Sequence, residues 1–401
     1  MSNFKNILIG TLKKYRVLYY IYYYCCSALL QFLGLFISSS KNRILFVCRG
    51  GKQYNDNIPP VYEELLKDMR FSKWEFVWAL RDPKSPDLSS KDRTKVCKID
   101  TPLFYWNALK SRCWVTNVSV QRGLNFKNKN TYYINTWHGV PLKYIGLDNN
   151  KGVSFTLASR ENFDLLCSMG EYDAKVYETA FEADPKIIKV TGYPRNDALF
   201  TSNIEEVKRR VLTYYNIDFS KKIVLYAPTF RDYNKSKLGM FSLDLKLSAD
   251  LFQQELGDNY VLLVRAHGAI LNTNNVIGCI DASKYPSVED LLLITDILVT
   301  DYSGIMFDYS LLERPIICLP YDLEEYTEKR GLYINYKEYL PFDICHTEME
   351  LYNTIKHLDY EKACEKSKLL KSKAGLIGLG ATKNVVNELY NGLRNKFPNA
   401  F

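Results

Sequence analysis

The chain has 401 residues, 47% of them hydrophobic, with 53 lysines and arginines against 45 aspartates and glutamates. That length exceeds one ordinary hydrophobic core, so two domains of roughly 150–200 residues are expected. The formal charge of +8 suits an anionic substrate or a membrane surface as well as nucleic acid, while ten scattered cysteines without any CxxC spacing argue against a zinc site or a redox dithiol and for a reducing compartment.

At the N-terminus, Lys13, Lys14 and Arg16 precede VLYYIYYYCCSALLQFLGLFISSS, which carries no charge until Lys41. The segment is long enough to cross a bilayer, but tyrosine prefers the headgroup interface to the hydrocarbon centre. A basic flank followed by an aromatic, apolar helix predicts a segment lying on the cytoplasmic face near anionic lipid. A single spanning helix and a helix docked on the protein are the alternatives. No small-residue cleavage site follows, which disfavours a signal peptide.

From Arg43 onward, short apolar runs alternate with helical stretches. RILFVC, WEFVWAL, RCWVTN, TYYINTW and KIIKVTG read as strands, with helices near Pro60 to Met69, Pro102 to Lys110 and Tyr172 to Glu182. After GYPRND and a charged helix over Ile204 to Tyr215, KIVLYAP, YVLLVRAH, DILVTD and PIICLP form a second series. Alternation of this kind predicts two doubly wound α/β domains with mainly parallel sheets and a cleft between them. A mostly helical tail follows from about Glu348 to Lys396.

The loops that follow such strands are where α/β sheets bind ligands. Four histidines occur, and two follow strands: His138 in NTWHGVPLKYIG and His267 in VRAHG. Each precedes a glycine, Gly139 after the first, that lets a ligand approach the backbone. No DxD pair is present and the two histidines have no carboxylate partners at ligand spacing, so metal-independent chemistry without a cofactor is expected. VTDYSGIMFDY, Val299 to Tyr309, reads as strand, turn and helix, with Ser303 or Asp301 capping and free amides able to seat phosphate. In YAPTFRD, Arg231 can clamp a phosphate or pair with Asp232. GGKQYNDN follows the first strand without GxGxxG or GxxxxGKS spacing, leaving Gly50 and Gly51 to acceptor contact or a plain turn. GxSxG is absent as well.

Together and in this order, TWHGVPLKYIG, GYPRND, APTFRD, RAH and TDYSGIMFDYSLLERPIICLPYDLEEY resemble the CDP-glycerol glycerophosphotransferase family of teichoic acid and capsule synthesis, from about Lys41 to Leu393. The resemblance implies a GT-B-like fold: a membrane-associating segment over 1–40, an acceptor-binding domain over 41–200, a donor-binding domain over 201–375, and a C-terminal helix over 376–401 packing back on the first domain. It implies transfer of glycerol phosphate from CDP-glycerol, or ribitol phosphate from CDP-ribitol, to a hydroxyl of a lipid-linked saccharide or polyol-phosphate acceptor at the cytoplasmic membrane surface, with release of CMP. His138 falls on the histidine implicated as the base and His267 on the second essential histidine, near the donor pyrophosphate. Asp301, Tyr302 and Ser303 fall on the donor-binding motif, where Gly304 replaces a common serine. Arg231 and Arg265 are further donor-phosphate candidates, and Lys143 is placed near the acceptor phosphate. The short N-terminal part leads one to expect single transfer or a compact capsule enzyme. A GT-B nucleotide-sugar glycosyltransferase is the nearest alternative. A nucleic-acid-binding protein is more distant, because the basic residues are dispersed and no recognition signature appears.

Overall fold

A computed structural model describes residues 15–84, 88, 90–149, 160–229, 231, 247–266 and 279–400. The described strands pair in parallel into two sheets. In the first, β1 (Arg43–Val47), β2 (Glu75–Leu80), β3 (Thr94–Lys98), β4 (Cys113–Thr116), β5 (Tyr132–Asn135), β6 (Leu165–Ser168) and β7 (Ile188–Val190) run in the order β3-β2-β1-β4-β5-β6-β7. The second holds β8 (Lys222–Ala227), β9 (Tyr260–Val264), β10 (Ile280–Asp281), β11 (Ile297–Thr300), β12 (Ile316–Cys318) and β13 (Asp343–Ile344), in the order β10-β9-β8-β11-β12-β13. Each sheet reverses direction of growth beside its first strand, the switch-point topology of doubly wound folds. The expected fold class, GT-B-like α/β, is the one found.

Parallel strands covered on both faces read as continuous apolar runs rather than alternating ones. RILFV shows how the two faces are divided. Ile44 and Phe46 pack with Tyr62, Trp78, Leu389 and Leu393, whereas Leu45 and Val47 pack with Phe104, Trp114 and Tyr133 on the other side. Phe46 lies 5.2 Å from the Trp78 ring and 5.4 Å from that of Tyr62. In the second sheet, Val224 and Tyr226 pack with Phe252, Leu262 and Tyr352.

Two compact units result: Met1–His138, Ile145–Arg195 and Gly380–Phe401 form the first, Gly139–Tyr144 and Asn196–Leu379 the second. The chain passes between them at Arg195, earlier than the expected boundary at residue 200. Gly139–Tyr144 groups with the second unit, where Lys143 bridges Leu332 in antiparallel fashion and the Tyr333 amide donates to the Leu142 carbonyl at 2.9 Å. The C-terminal helix (Ala381–Lys396) lends Val385, Val386, Leu389 and Leu393 to the first core.

The N-terminal helix (Arg16–Phe36) packs Tyr22, Cys26 and Leu30 on the first core, and its Ser27 hydroxyl accepts from the Asn125 amide at 2.9 Å. Its outer face exposes Val17, Ile21, Tyr24, Phe32 and Phe36. The helix is therefore docked along the first domain with an apolar side left over, although Val17–Phe36 is long and apolar enough to cross a membrane.

Candidate active site

In the first unit, three loops at the carboxyl edge of the sheet converge. After β1, Arg49 (φ +47°) sends its guanidinium to Asp56, with Nε 2.6 Å from the carboxylate. After β4, the Asn117 side chain accepts from the Arg49 amide at 2.8 Å. After β5 come Trp137 and His138. Trp137 adopts φ +52°, a region disfavoured for an aromatic residue, and is held there by two asparagines. Its amide donates to the Asn135 side chain at 2.7 Å, and its carbonyl accepts from Asn57 at 3.0 Å. Its ring lies 4.3 Å from that of His138. From beyond β7, Arg195 donates to Asp56 at 2.8 Å and to the His138 carbonyl at 2.9 Å. Among the described residues, nine non-glycine positions have positive φ, and three of them, Arg49, Asp56 and Trp137, meet here around one histidine.

The state of His138 follows from its partner. Nδ1 lies 2.6 Å from the Asn117 main-chain oxygen, an acceptor with no proton to give, so Nδ1 is the donor. Burial, reinforced by Arg49 and Arg195 against the pull of Asp56, lowers the His138 pKa to about 4. At neutral pH the ring is uncharged, protonated on Nδ1, with a lone pair on Nε2. Burial alone would push the Asp56 carboxyl up, but Arg195 and Arg49 outweigh it and hold it below the ordinary range. Two arginines share this carboxylate beside a neutral base, and guanidinium groups are suited to anionic substrates.

In the second unit, the loops after β8, β11 and β12 converge on Arg231. Its guanidinium donates to both oxygens of Asp322 at 2.8 Å and to Asp301 at 2.7 Å, and lies over the Tyr302, Tyr321 and Tyr326 rings. Burial opposes its charge, but Asp301 and Asp322 outweigh burial and push its pKa up. Asp301 is fully buried and also accepts from the Thr229 amide, and Tyr302 stacks on Tyr326 at 3.8 Å while donating to Asp322.

These contacts correct several expectations. Arg231, read as a phosphate clamp or a partner of Asp232, is buried and bonded to two carboxylates, Asp301 and Asp322, while Asp232 lies outside the described residues. Asp301 does not cap the following helix, and Tyr302 is core. That helix is six residues, Ile305–Ser310, with Gly304 at its N-cap, while the Ser303 hydroxyl accepts from the Ile305 amide at 3.4 Å. Arg265 spends Nη1 on the Ala282 and Tyr285 carbonyls, leaving Nε and Nη2 without a partner among the described residues. Gly50 and Gly51 are buried and left-handed, and a Cβ on Gly51 would touch Ile99 and the Ala79 carbonyl, so they make the plain turn rather than an acceptor surface. A Cβ on Gly139 would meet nothing within 4 Å, consistent with open space beside the backbone. His267 lies outside the described residues, as does its pairing with His138.

Gly304 has a reason of its own. A Cβ there would lie 2.3 Å from the Val140 carbonyl oxygen, so the missing serine reflects close backbone packing. Gly304→Ser is expected to destabilise by about 1–3 kcal/mol, the usual range for overpacking, read as a lowered melting temperature. An unchanged melting temperature would show that the backbone yields freely.

A family profile for CDP-glycerol:poly(glycerophosphate) glycerophosphotransferases matches residues 29–376. The chain belongs to this family. It is 35% identical over 334 residues to a teichoic acid poly(glycerol phosphate) polymerase of Staphylococcus epidermidis, covering 79% of this chain and 45% of that protein. This family member therefore spans less than half the length of that relative. It is 33% identical over 335 residues to a teichoic acid glycerol-phosphate transferase of Staphylococcus aureus, covering 80% and 85%. Among solved structures, a single-residue variant of the wall teichoic acid polymerase TagF superposes with a TM-score of 0.78 at 30% identity over 90% of both chains. A Staphylococcus aureus MnaA–UDP structure shares the fold alone, with a TM-score of 0.56 at 16% identity, over 88% of this chain and 97% of that one.

For a member of this family, the residues that motif reading missed are Arg49, Asp56, Asn57 and Asn117, together with Asp322. Arg195 and Asp322 lay inside quoted motifs, GYPRND and LPYDLEEY, without an assigned role. Asp56 and Asn57 closed the glycine-bearing loop, whose usable signal was its YNDN end rather than its glycines.

Proposed function

We propose that the chain transfers glycerol phosphate from CDP-glycerol to a hydroxyl of a lipid-linked or polyol-phosphate acceptor, releasing CMP. The single observation that carries this reading is His138, neutral and protonated on Nδ1 toward Asn117, with two arginines beside it. An acceptor hydroxyl is a poor nucleophile until its proton has somewhere to go. Nε2 of His138 takes that proton as the new O–P bond forms, the P–O bond to CMP breaks, and CMP leaves with the bonding pair. Arg49 and Arg195 favour an anionic acceptor, and Lys143 adds charge close in sequence to the base. On the donor side, Arg265, the Ser303 turn and His267 are assigned to the charge growing on CMP. Arg231, Asp301, Tyr302 and Asp322 shape that donor site rather than contact phosphate. The apolar outer face of the N-terminal helix supports work at a membrane surface.

The test follows nucleotide release by the full chain with a glycerol phosphate-bearing lipid acceptor, supplying CDP-glycerol, CDP-ribitol or a UDP-sugar in parallel. CDP-glycerol is expected to react at least about tenfold faster than CDP-ribitol, a discrimination of roughly 1.4 kcal/mol in the transition state, and EDTA is expected to leave the rate unchanged. Turnover confined to the UDP-sugar would replace the reading with glycosyl transfer, and loss of turnover in EDTA would introduce a metal.

A further inference from the structure

The first unit holds a buried acid that the proton transfer does not use. Asp173 lies in the first turn of the helix Glu171–Ala180 and is fully buried. One of its carboxylate oxygens accepts from the Gly170 amide at 2.8 Å, and the other accepts from the Met169 amide at 2.8 Å. Those two bonds complete a helix cap. The second oxygen also lies 3.1 Å from the Tyr177 hydroxyl and 3.1 Å from the Tyr193 hydroxyl, and the two phenolic oxygens are 2.8 Å apart. Both tyrosines are fully buried as well.

A cap needs neither phenol. A carboxylate withdrawn from water depends on a complete set of hydrogen bonds, so this one fixes where both hydroxyls lie. Each phenol has one proton. Either both donate to Asp173 or one donates through the other, and in both arrangements the pair is anchored to the same oxygen.

The two tyrosines lead to His138 by separate routes. Tyr177 is one turn along from Asp173 on the same helix face, and its ring lies edge to face with that of Trp137 at 6.0 Å. Phe181, a further turn on, lies 4.8 Å from the Trp137 ring. Trp137 in turn holds its ring 4.3 Å from the imidazole, out of a backbone conformation at φ +52° that persists only with support from its surroundings. Tyr193 carries the other route. The Arg195 guanidinium lies 5.2 Å from the centre of the Tyr193 ring, and its Nη1 donates to the His138 carbonyl at 2.9 Å. One route ends on the ring of His138 and the other on its main chain, and they join at Asp173.

We propose that Asp173 is a positioning residue for His138, its carboxylate tying Tyr177 and Tyr193 together so that Trp137 and Arg195 hold the base in line with the acceptor hydroxyl. The assignment rests on His138 as the base in the reading above. Its test removes single hydroxyls and keeps the rings. Tyr177→Phe and Tyr193→Phe are assayed in the full chain for CMP release from CDP-glycerol with the glycerol phosphate-bearing lipid acceptor, at a temperature where melting curves show each variant folded. A misplacement of about 1 Å costs about 10²-fold in rate, so each loosened support is expected to lower kcat about tenfold, with KM for donor and acceptor within about twofold of wild type. Asp173→Asn is expected to lose at least as much. Tyr62→Phe is the control: its hydroxyl is 2.6 Å from that of Thr94, and its ring is buried in the same unit against Phe46 and Trp78. It is expected to lower the melting temperature as the other tyrosine variants do and to leave kcat within about twofold. Losses of kcat that follow the melting temperature, Tyr62→Phe included, would make the network a support of the fold only and overturn the proposal. Wild-type kcat in either Tyr177→Phe or Tyr193→Phe would overturn it as well, as would a rise in KM without a fall in kcat. His138→Ala within about tenfold of wild type would remove the base reading beneath it, whereas a larger His138→Ala loss beside unaffected tyrosine variants would remove the positioning role alone.

Discussion

His138→Ala is expected to lower kcat for CMP release from CDP-glycerol by about 10²- to 10⁴-fold, the usual contribution of a positioned general base. The wild-type pH profile carries the finer test. A base works only when unprotonated, so activity is lost as pH falls through its pKa. Burial, with Arg49 and Arg195 adding to it, places that value at about 4 instead of the ordinary 6.5. The acid limb of kcat/KM is therefore expected near pH 4, with a flat profile from about 5.5 to neutrality. The linked stability effect has the same sign. The unfolded chain takes up the proton near 6.5 and the folded chain near 4, so this contribution is complete above 6.5 and is lost between the two. Arg49→Gln removes one of the charges that disfavour the imidazolium, and its acid limb is expected to move upward. An alanine variant within about tenfold of wild type would remove His138 from the chemistry. An acid limb at 6.5 would show that solvent reaches the ring freely.

Asp56→Ala is expected to destabilise the first unit by about 3–5 kcal/mol, the range for removing one partner of a buried ion pair. The Asp56 side chain is 3% exposed and joins Arg49 to Arg195. Without it, the carboxylate shared by the two guanidinium groups is gone, and Arg195 loses a contact that helps orient it toward the His138 carbonyl. Asp56→Asn keeps the shape and is expected to recover part of the stability but not the rate, because a neutral amide no longer supplies the charge that Arg49 and Arg195 share. Urea unfolding midpoints and kcat measured under folding conditions separate the two effects. A lowered midpoint with an unchanged kcat would make Asp56 a structural tie without influence on the base.

Sequence by itself determined the α/β class and nine of the strands, and it singled out His138 as the candidate base. All of those strands but β7, whose Ile188–Val190 is only partly buried, are apolar runs with at least three buried residues, which leaves a continuous mark in the chain, although LLCS at β6 is as buried and was passed over. TKVCK at β3 was passed over because an edge strand keeps polar residues and only Cys97 is buried there. β10 and β13, two residues each, leave no periodicity to detect. His138 was legible because a histidine at the carboxyl end of a parallel strand, followed by glycine, occupies a position where such sheets hold ligands.

Tertiary structure alone decided what surrounds that histidine. Asp56, Asn117 and Arg195 are spread over 139 residues and meet only because β1, β4 and the segment after β7 end on the same edge. No local pattern records that a main-chain oxygen at Asn117 fixes the tautomer, or that Arg231, read as a phosphate clamp, is held between Asp301 and Asp322. Local chemistry names a residue's capabilities, while the charges and carbonyls brought to it by distant strands select which capability is used.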